Sequence, residues 1–472
     1  MNEDLKLEDI VSLAKRRGFI YQGSDVYGGL SGTWDYGPLG VSLKRNIMNL
    51  WWRMFVDERD DMYGVDAAIL MNQKVWQASG HVDTFTDPLV ECSNCKGRFR
   101  ADKLDDPNKC PTCGKEGTFG EPIQFNMMFQ TVVGPNFKSV KGENYDKIKA
   151  DVKFISKSGN STNVVVPETD QLDAAMFFSK SATSYLRPET AQGIFTNYKN
   201  VVDNFYPDLP FGIAQQGKAF RNEISPRDFV FRSREFEQME IEYFVHPEKW
   251  EEAFEHWVEK CKEWFNALGL PADKVHELEV PEDDRAHYSK RTIDFEFDYP
   301  IGREELMGLA YRTDFDLMNI QDNAKKSMEY QVKGTNEKFV PHVIEPSFGV
   351  ERALMAVLVS AYREDEQNGE KRIYLALPEH LAPVKYAVSP LLKNKPELVE
   401  KAREVYKKLA KENPGRVMWD DNGNIGKRYR RQDEIGTPYC VVIDFETIEG
   451  DGTVTVRSRD TTEQIRKSVD QI

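Results

Sequence analysis

The sequence predicts an α+β protein, an antiparallel sheet flanked by helices, followed by a separate C-terminal α/β domain. Three observations carry this. Residues 292–298 (TIDFEFD) alternate apolar and acidic, as a strand with one buried face does. Strand-like runs at 211–213 and 238–244 bracket a long charged loop, 222–235. Past the polar stretch 363–371 (REDEQNGEK), read as a linker, RIYLALP and YCVVIDF read as buried strands with a charged helix at about 396–412 between them. The expected units are therefore 1–365 and 371–472, and a chain of 472 residues has ample material for both cores.

The remaining elements follow in order. The N-terminus is an amphipathic helix with Leu5, Ile10 and Leu13 among its apolar positions. It is charged and has no apolar h-region, so it is not a secretory signal, and no apolar run approaches the ~18–20 residues of a membrane span. The expected location is the cytoplasm, with no membrane partner. Pro38 opens a helix to about Asp57, with Ile47, Leu50, Trp51, Met54 and Phe55 on its apolar side. Residues 64–71 (GVDAAILM) read as a short buried strand. A polar, lysine-rich insertion occupies about 135–165. After Pro247 a packed helix carries Trp250, Phe254, Trp257, Val258, Cys261, Trp264, Phe265 and Leu268 at helical spacing, and 348–361 reads as another apolar helix.

The net charge of −15 argues against a nucleic-acid partner only until its distribution is considered. From Lys371 onward the net is +3, against −18 for the first 370 residues. Phosphate binding follows local potential rather than the total. Of six cysteines, four form the pairs Cys92/Cys95 and Cys110/Cys113, separated by 14 residues. In a long chain without an export signal, two CxxC pairs indicate a structural zinc ribbon at about 88–120 rather than disulfides.

Arg221 and Glu223 open the segment GKAFRNEISPRDFVFRSREFEQMEIEYF. Activation of a carboxylate by ATP builds negative charge on the α-phosphate, which a guanidinium fork can bridge to the attacking carboxylate. A carboxylate can accept from the exocyclic amine of adenine. On a strand, Arg221 and Glu223 would share a face. Alone, FRNE is a weak signal and reads first as a surface ion pair.

FRNE, a long loop and REFEQMEIE together resemble motif 2 of class II aminoacyl-tRNA synthetases. EPSFGVERALMAVL (345–358) resembles motif 3, and 38–76 would be motif 1, which commonly forms a dimer interface. YLRPETAQGIF (185–195), GGLSGTWDYGPLG (28–40), VWQASGHVDTFTDPLVEC and FNMMFQT resemble the homodimeric glycyl-tRNA synthetase family, and the likeness spans nearly the whole chain. The resemblance implies a class II catalytic domain and a homodimer. It also implies that Arg221 holds the α-phosphate and substrate carboxylate, Glu223 reads the adenine amine and Phe236 stacks on the ring. Arg352 would take the other ring face and the γ-phosphate. Arg232 and Arg234 would face phosphates or the tRNA acceptor end, and Glu305, beside Leu306, would ligate the magnesium that accompanies ATP. Asn222, Phe231, Ser233, Glu235, Gly349, Val350 and Glu351 complete the implied ATP site.

Glycine offers an ammonium, a carboxylate and no side chain. The resemblance assigns the ammonium to Glu189, Glu240 and Glu345, aided by Ser347. It assigns the carboxylate to Arg100 and Arg221, with Phe236, Glu237, Gln238, Met239, Pro346, Phe348 and Gly349 around them. Clustered carboxylates favour a small bound cation, and larger amino acids are excluded by overlap. Without that context each glutamate reads as a structural ion pair. In the tail, Lys427, Arg428, Arg430 and Arg431 surround Tyr429. The cluster reads either as a solvated basic turn or as an RNA site, and the segment resembles the α/β anticodon-binding domain of the glycyl, histidyl, prolyl and threonyl enzymes. The function expected is glycine–tRNA ligase, with tRNA-Gly, ATP and glycine as partners. The alternatives are a class II synthetase for another amino acid and a non-catalytic nucleic-acid-binding relative; retention of Arg221, Glu223, Glu305 and Arg352 together speaks against the latter.

Overall fold

The computed structural model describes residues 5–133, 183–286, 288–367 and 369–472. The lobe expected at 135–165 lies outside them.

A seven-stranded sheet organises the larger unit. Its order is Val275–Glu279, Arg291–Tyr299, Gly302–Thr313, His342–Gly349, Glu235–Val245, Phe211–Phe220 and Met62–Gly64, antiparallel except for the last pair. Strand alternation divides the labour between its faces. Met239, Ile241, Tyr243 and Val245 point to one face and join the main core, under the helices Pro38–Trp52, Trp250–Ala267 and Val350–Ala361. On the other face Phe244, Phe211 and Ile213 pack beneath the helix Ala191–Phe205 at one end of the strands. Toward the other end that face carries charge.

The amphipathic helices form as read: Leu7–Arg17, Trp250–Ala267 and Pro396–Glu412. The helix from Pro38 ends at Trp52 and widens into a π-helical turn, Arg53–Asp57. Three expectations change. Residues 64–71 are not a strand, because the strand ends at Gly64 and beyond it only Leu70 makes an isolated bridge, to Leu186. The Ala67 carbonyl accepts instead from the Arg187 guanidinium, at 2.8 Å, and Leu70 is 49% exposed. The helix expected over 348–361 starts at Val350, with Phe348 still in the strand. The linker at 363–371 is a hairpin, Tyr362–Gln367 with Glu370–Leu375. Gly369 turns it at φ +78°, where glycine alone is unstrained. Its charges are complementary cross-strand pairs, Asp365↔Arg372 and Glu366↔Lys371, so polarity there marks pairing rather than a loose connection. The RIYL of RIYLALP belongs to this hairpin, and none of RIYLALP joins the C-terminal sheet.

That sheet has five strands: Val417–Trp419, Tyr386–Pro390, Tyr439–Ile443, Val454–Ser458 and Gln464–Lys467. The first three are parallel, and Leu398, Ala402, Val405 and Leu409 of the helix Pro396–Glu412 cover them. A three-stranded lobe, Arg98–Arg100, Thr86–Glu91 and Ile123–Asn126, holds the four paired cysteines at its edge.

Candidate active site

A cavity of about 200 Å³ opens where the strands Glu235–Val245, His342–Gly349 and Gly302–Thr313 meet the loop 221–234. Arg221 and Glu223 both line it, although neither is on a strand. The strand ends at Phe220 because the Asn222 N–H turns away to the Met127 carbonyl of the three-stranded lobe, at 2.8 Å. A tight turn follows, with the Glu223 N–H donating to the Arg221 carbonyl at 2.7 Å. The Arg221 guanidinium lies over the rings of Phe236 (5.2 Å) and Phe85 (5.5 Å) and donates to the Pro188 carbonyl at 3.2 Å. Glu223 is buried, 3.6 Å from Arg232. Opposite, Arg352 sits over Phe231 at 4.7 Å and bridges to Glu305 at 2.9 Å, which holds the Glu305 carboxyl below its usual range. Burial pushes Glu351 up to about 7; it accepts from the Tyr36 hydroxyl and the Glu237 N–H.

Arg100 reaches the same cavity from the lobe, with its guanidinium committed to Asp87 (2.8 Å) and Asp102 (2.7 Å). Ser233, Gln238, Leu306, Ser347 and Gly349 complete the wall. Other expected residues point elsewhere. Met239, Phe348 and Val350 belong to the core behind the sheet, and Pro346 is also buried. Glu235 pairs with Lys218, Glu237 with Lys44, and Arg234 donates to the carbonyls of Ser31 and Glu223.

Beneath Ser347 is a nest of carboxylates. Register places Glu240 against Ser347 and Gly308 on the other side of Ser347. Glu240 accepts from the hydroxyls of Ser347 (2.8 Å) and Thr190 (2.5 Å). Glu345 accepts from Arg312 at 2.5 Å, and Arg312 also forks onto Asp316 at 2.8 and 3.0 Å. Glu189 lies 3.3 Å from His81, and the Gln192 amide ties Asp316 into the group at 2.8 Å. Burial and then the charge of Glu189 raise Glu240. Burial pushes Glu345 up to about 8 against the pull of Arg312, with Glu240 and Glu189 adding to the rise. Burial would raise Glu189 as well, yet His81 and Arg312 bring it down to about 2. The nest is short of positive charge, the condition under which a small cation binds.

The sequence reading did not include Arg312, Asp316, Thr190, Gln192 or His81. Nothing in the local sequence around Arg312 and Asp316 marks them out. Their burial, at 2% and 3% exposure, is what makes them structural partners of the nest.

In the three-stranded lobe, the Sγ atoms of Cys92, Cys95, Cys110 and Cys113 lie within 4.8 Å of one another, with 92–113 at 3.8 Å and 95–110 at 3.6 Å. A tetrahedron of thiolates about 2.3 Å from a zinc ion has edges of about 3.8 Å, so this donor set fits the metal. In the tail, 425–434 is a helix rather than a turn. Arg428 faces inward, 2% exposed, and donates to the carbonyls of Gly423 and Pro390. Lys427, Tyr429, Arg430 and Arg431 line a separate hollow of about 770 Å³, where Arg457 lies over the Tyr429 ring at 4.7 Å.

Residues 178–361 match the family model for the tRNA synthetase class II core domain (G, H, P, S and T), and residues 385–472 match that for the anticodon binding domain. Glycine–tRNA ligase of Thermobifida fusca is 45% identical over 99% of this chain and 96% of its own length. Those of Deinococcus radiodurans and Caldanaerobacter subterraneus are 44% and 43% identical, over 99% of this chain and 97% and 96% of theirs. The chain belongs to the glycine–tRNA ligase family. The core match takes in the cavity and most of the nest, while His81, Arg100 and the cysteines precede it. The anticodon-domain match coincides with the five-stranded sheet.

Proposed function

We propose that this chain joins glycine to tRNA-Gly in two steps. The glycine carboxylate attacks the α-phosphorus of ATP and pyrophosphate leaves. The 3′-terminal ribose hydroxyl of the tRNA then attacks the glycyl carbonyl and AMP leaves. The observation that carries the reading is the carboxylate nest directly beside the arginine-lined cavity. In this arrangement Arg221 bridges the α-phosphate and the substrate carboxylate, with Arg100 beside it. Glu223 accepts from the adenine amine, and Phe236 and Arg352 hold the ring. Glu189, Glu240 and Glu345 take the ammonium, with Ser347 closing the space a larger side chain would need. No side-chain nucleophile is required, and catalysis is positioning with charge stabilisation. Glu305, which lines the cavity, would hold magnesium. When bound, that ion would screen phosphate charge.

ATP–pyrophosphate exchange across a panel of amino acids tests the function. Exchange with glycine alone is expected. Exchange with alanine or serine but not glycine would sink the specificity, and no exchange at all would favour the non-catalytic relative.

The four cysteines are proposed as a structural zinc site. Metal analysis of reduced, freshly purified protein should find one zinc per chain, and a metal-free folded protein would overturn this. Of the basic tail residues, Lys427, Arg430 and Arg431 with Tyr429 are proposed to meet the tRNA; Arg428 serves the fold. Arg430→Glu with Arg431→Glu should raise the KM for tRNA about tenfold or more while sparing exchange. Equal losses in both assays would remove that role. We place the proposed enzyme in the cytoplasm, and the family resemblance of residues 38–76 implies a homodimer.

A further inference from the structure

Glu242 is two residues along from Glu240 on the same strand, so it shares the charged face of the sheet. It is 0% exposed, and neither carboxylate oxygen has a hydrogen-bond donor among the described residues. The nearest guanidinium is already committed, because Arg312 forks onto Asp316 and donates to Glu345. Register sets Glu345 directly across from Glu242 on the neighbouring strand, because Glu240 faces Ser347 and Tyr243 faces Ile344, so the two carboxylates are neighbours on the charged face. Burying an ionised carboxylate with no donor is prohibitive, and two carboxylates in contact do not both ionise. Glu345 has Arg312 as its cation and Glu242 has none, so the proton of the pair resides on Glu242. The surroundings agree. Burial and then the charge of Glu345 push Glu242 well above the usual carboxylate range, with Glu240 and Asp316 adding to this and Arg312 opposing it.

We propose that Glu242 is a positioning residue of the glycine pocket, protonated at neutral pH and donating a hydrogen bond that fixes the Glu345 carboxylate once Glu345 ionises to receive glycine. The proposal rests on the reading of Glu345 as an ammonium ligand. A donor on one side and Arg312 on another leave the carboxylate a single orientation. The neutral Glu242 also prevents the nest from gaining a further negative charge, which would demand a second cation. The groups facing the pair are Glu240 from the same strand, Arg312 from Gly302–Thr313, Asp316 from Phe315–Ala324, and Glu189 and His81 at the pocket's edge.

Glu242→Gln and Glu242→Leu test this in glycine-dependent exchange. The amide of the glutamine variant can still donate, so its glycine KM should stay within about threefold of the parent, whereas the leucine variant should show a rise of about tenfold or more with the ATP KM unchanged. A glutamine variant as impaired as the leucine one, or a leucine variant equal to the parent, would overturn the proposal. If the leucine variant does not fold, two readouts still decide. One is the glycine KM of Glu242→Gln. The other is the infrared difference spectrum, parent minus Glu242→Gln, which should contain the carbonyl stretch of a protonated carboxyl at neutral pH. A glycine KM raised about tenfold by the conservative change, or absence of that band, counts against it. Failure of the parent to exchange with glycine would refute the underlying reading instead, and the infrared band would stand independently of it.

Discussion

Arg221→Ala is expected to lower kcat for glycine-dependent ATP–pyrophosphate exchange by a factor of about 10²–10³, the cost of removing one donor aimed at developing negative charge. The guanidinium is well placed for such a loss. It lies over two aromatic rings and is tied to the Pro188 carbonyl, while the neighbouring Arg100 is committed to Asp87 and Asp102. Arg232 is drawn toward Glu223 and Arg352 is bridged to Glu305, which leaves neither free to substitute. Arg221→Lys should recover only part of the loss, because an ammonium is a point charge and cannot bridge two anions in one plane. Steady-state exchange at saturating ATP and glycine, with thermal melting as a folding control, measures both variants. A drop of less than about tenfold in the alanine variant would remove Arg221 from the reaction centre.

Much of this arrangement was legible in the sequence, for identifiable reasons. TIDFEFD wrote its pleat directly into its residues, and the helix after Pro247 wrote its period of 3.6 with large aromatics. The cysteine spacing carried its own geometry. The site was legible through the motif around Arg221 and the Glu-x-Ser before Arg352. What could not be read was anything set by two distant segments meeting. The charged hairpin at 362–375 looked like a linker because complementary cross-strand pairs have no local signature. Arg428 sat in a basic run, and only the three-dimensional course of the chain showed carbonyls waiting for it. Arg312 and Glu242 are the clearest cases. An arginine and a glutamate in strands imply exposure by default, yet both are buried: Arg312 is matched by Asp316 and Glu345, whereas Glu242 meets no hydrogen-bond donor among the described residues.

The second large effect concerns those charges. Glu240→Ala is expected to raise the glycine KM about 30-fold or more, since truncating one partner of a buried, hydrogen-bonded charge pair costs about 2–5 kcal/mol. Its loss also strands the hydroxyls of Thr190 and Ser347, both of which donate to Glu240. The same nest predicts a pH dependence with a definite sign. Glu345 is pushed up to about 8, so below that pH the ligand-free pocket carries, besides the proton that stays on Glu242, one on Glu345. The substrate ammonium, which stays charged over this range, favours the ionised carboxylate and must expel that proton to bind. The glycine KM should therefore fall as pH rises from 6 to 8, by up to about tenfold per unit for a single linked proton, while the ATP KM changes far less. Glu345→Gln should flatten the profile, because the amide cannot titrate. A glycine KM independent of pH in the parent protein would mean that Glu345 is ionised before glycine arrives. In that case the buried charge must already be balanced by a cation other than the substrate, and the selectivity argument would lose its physical basis.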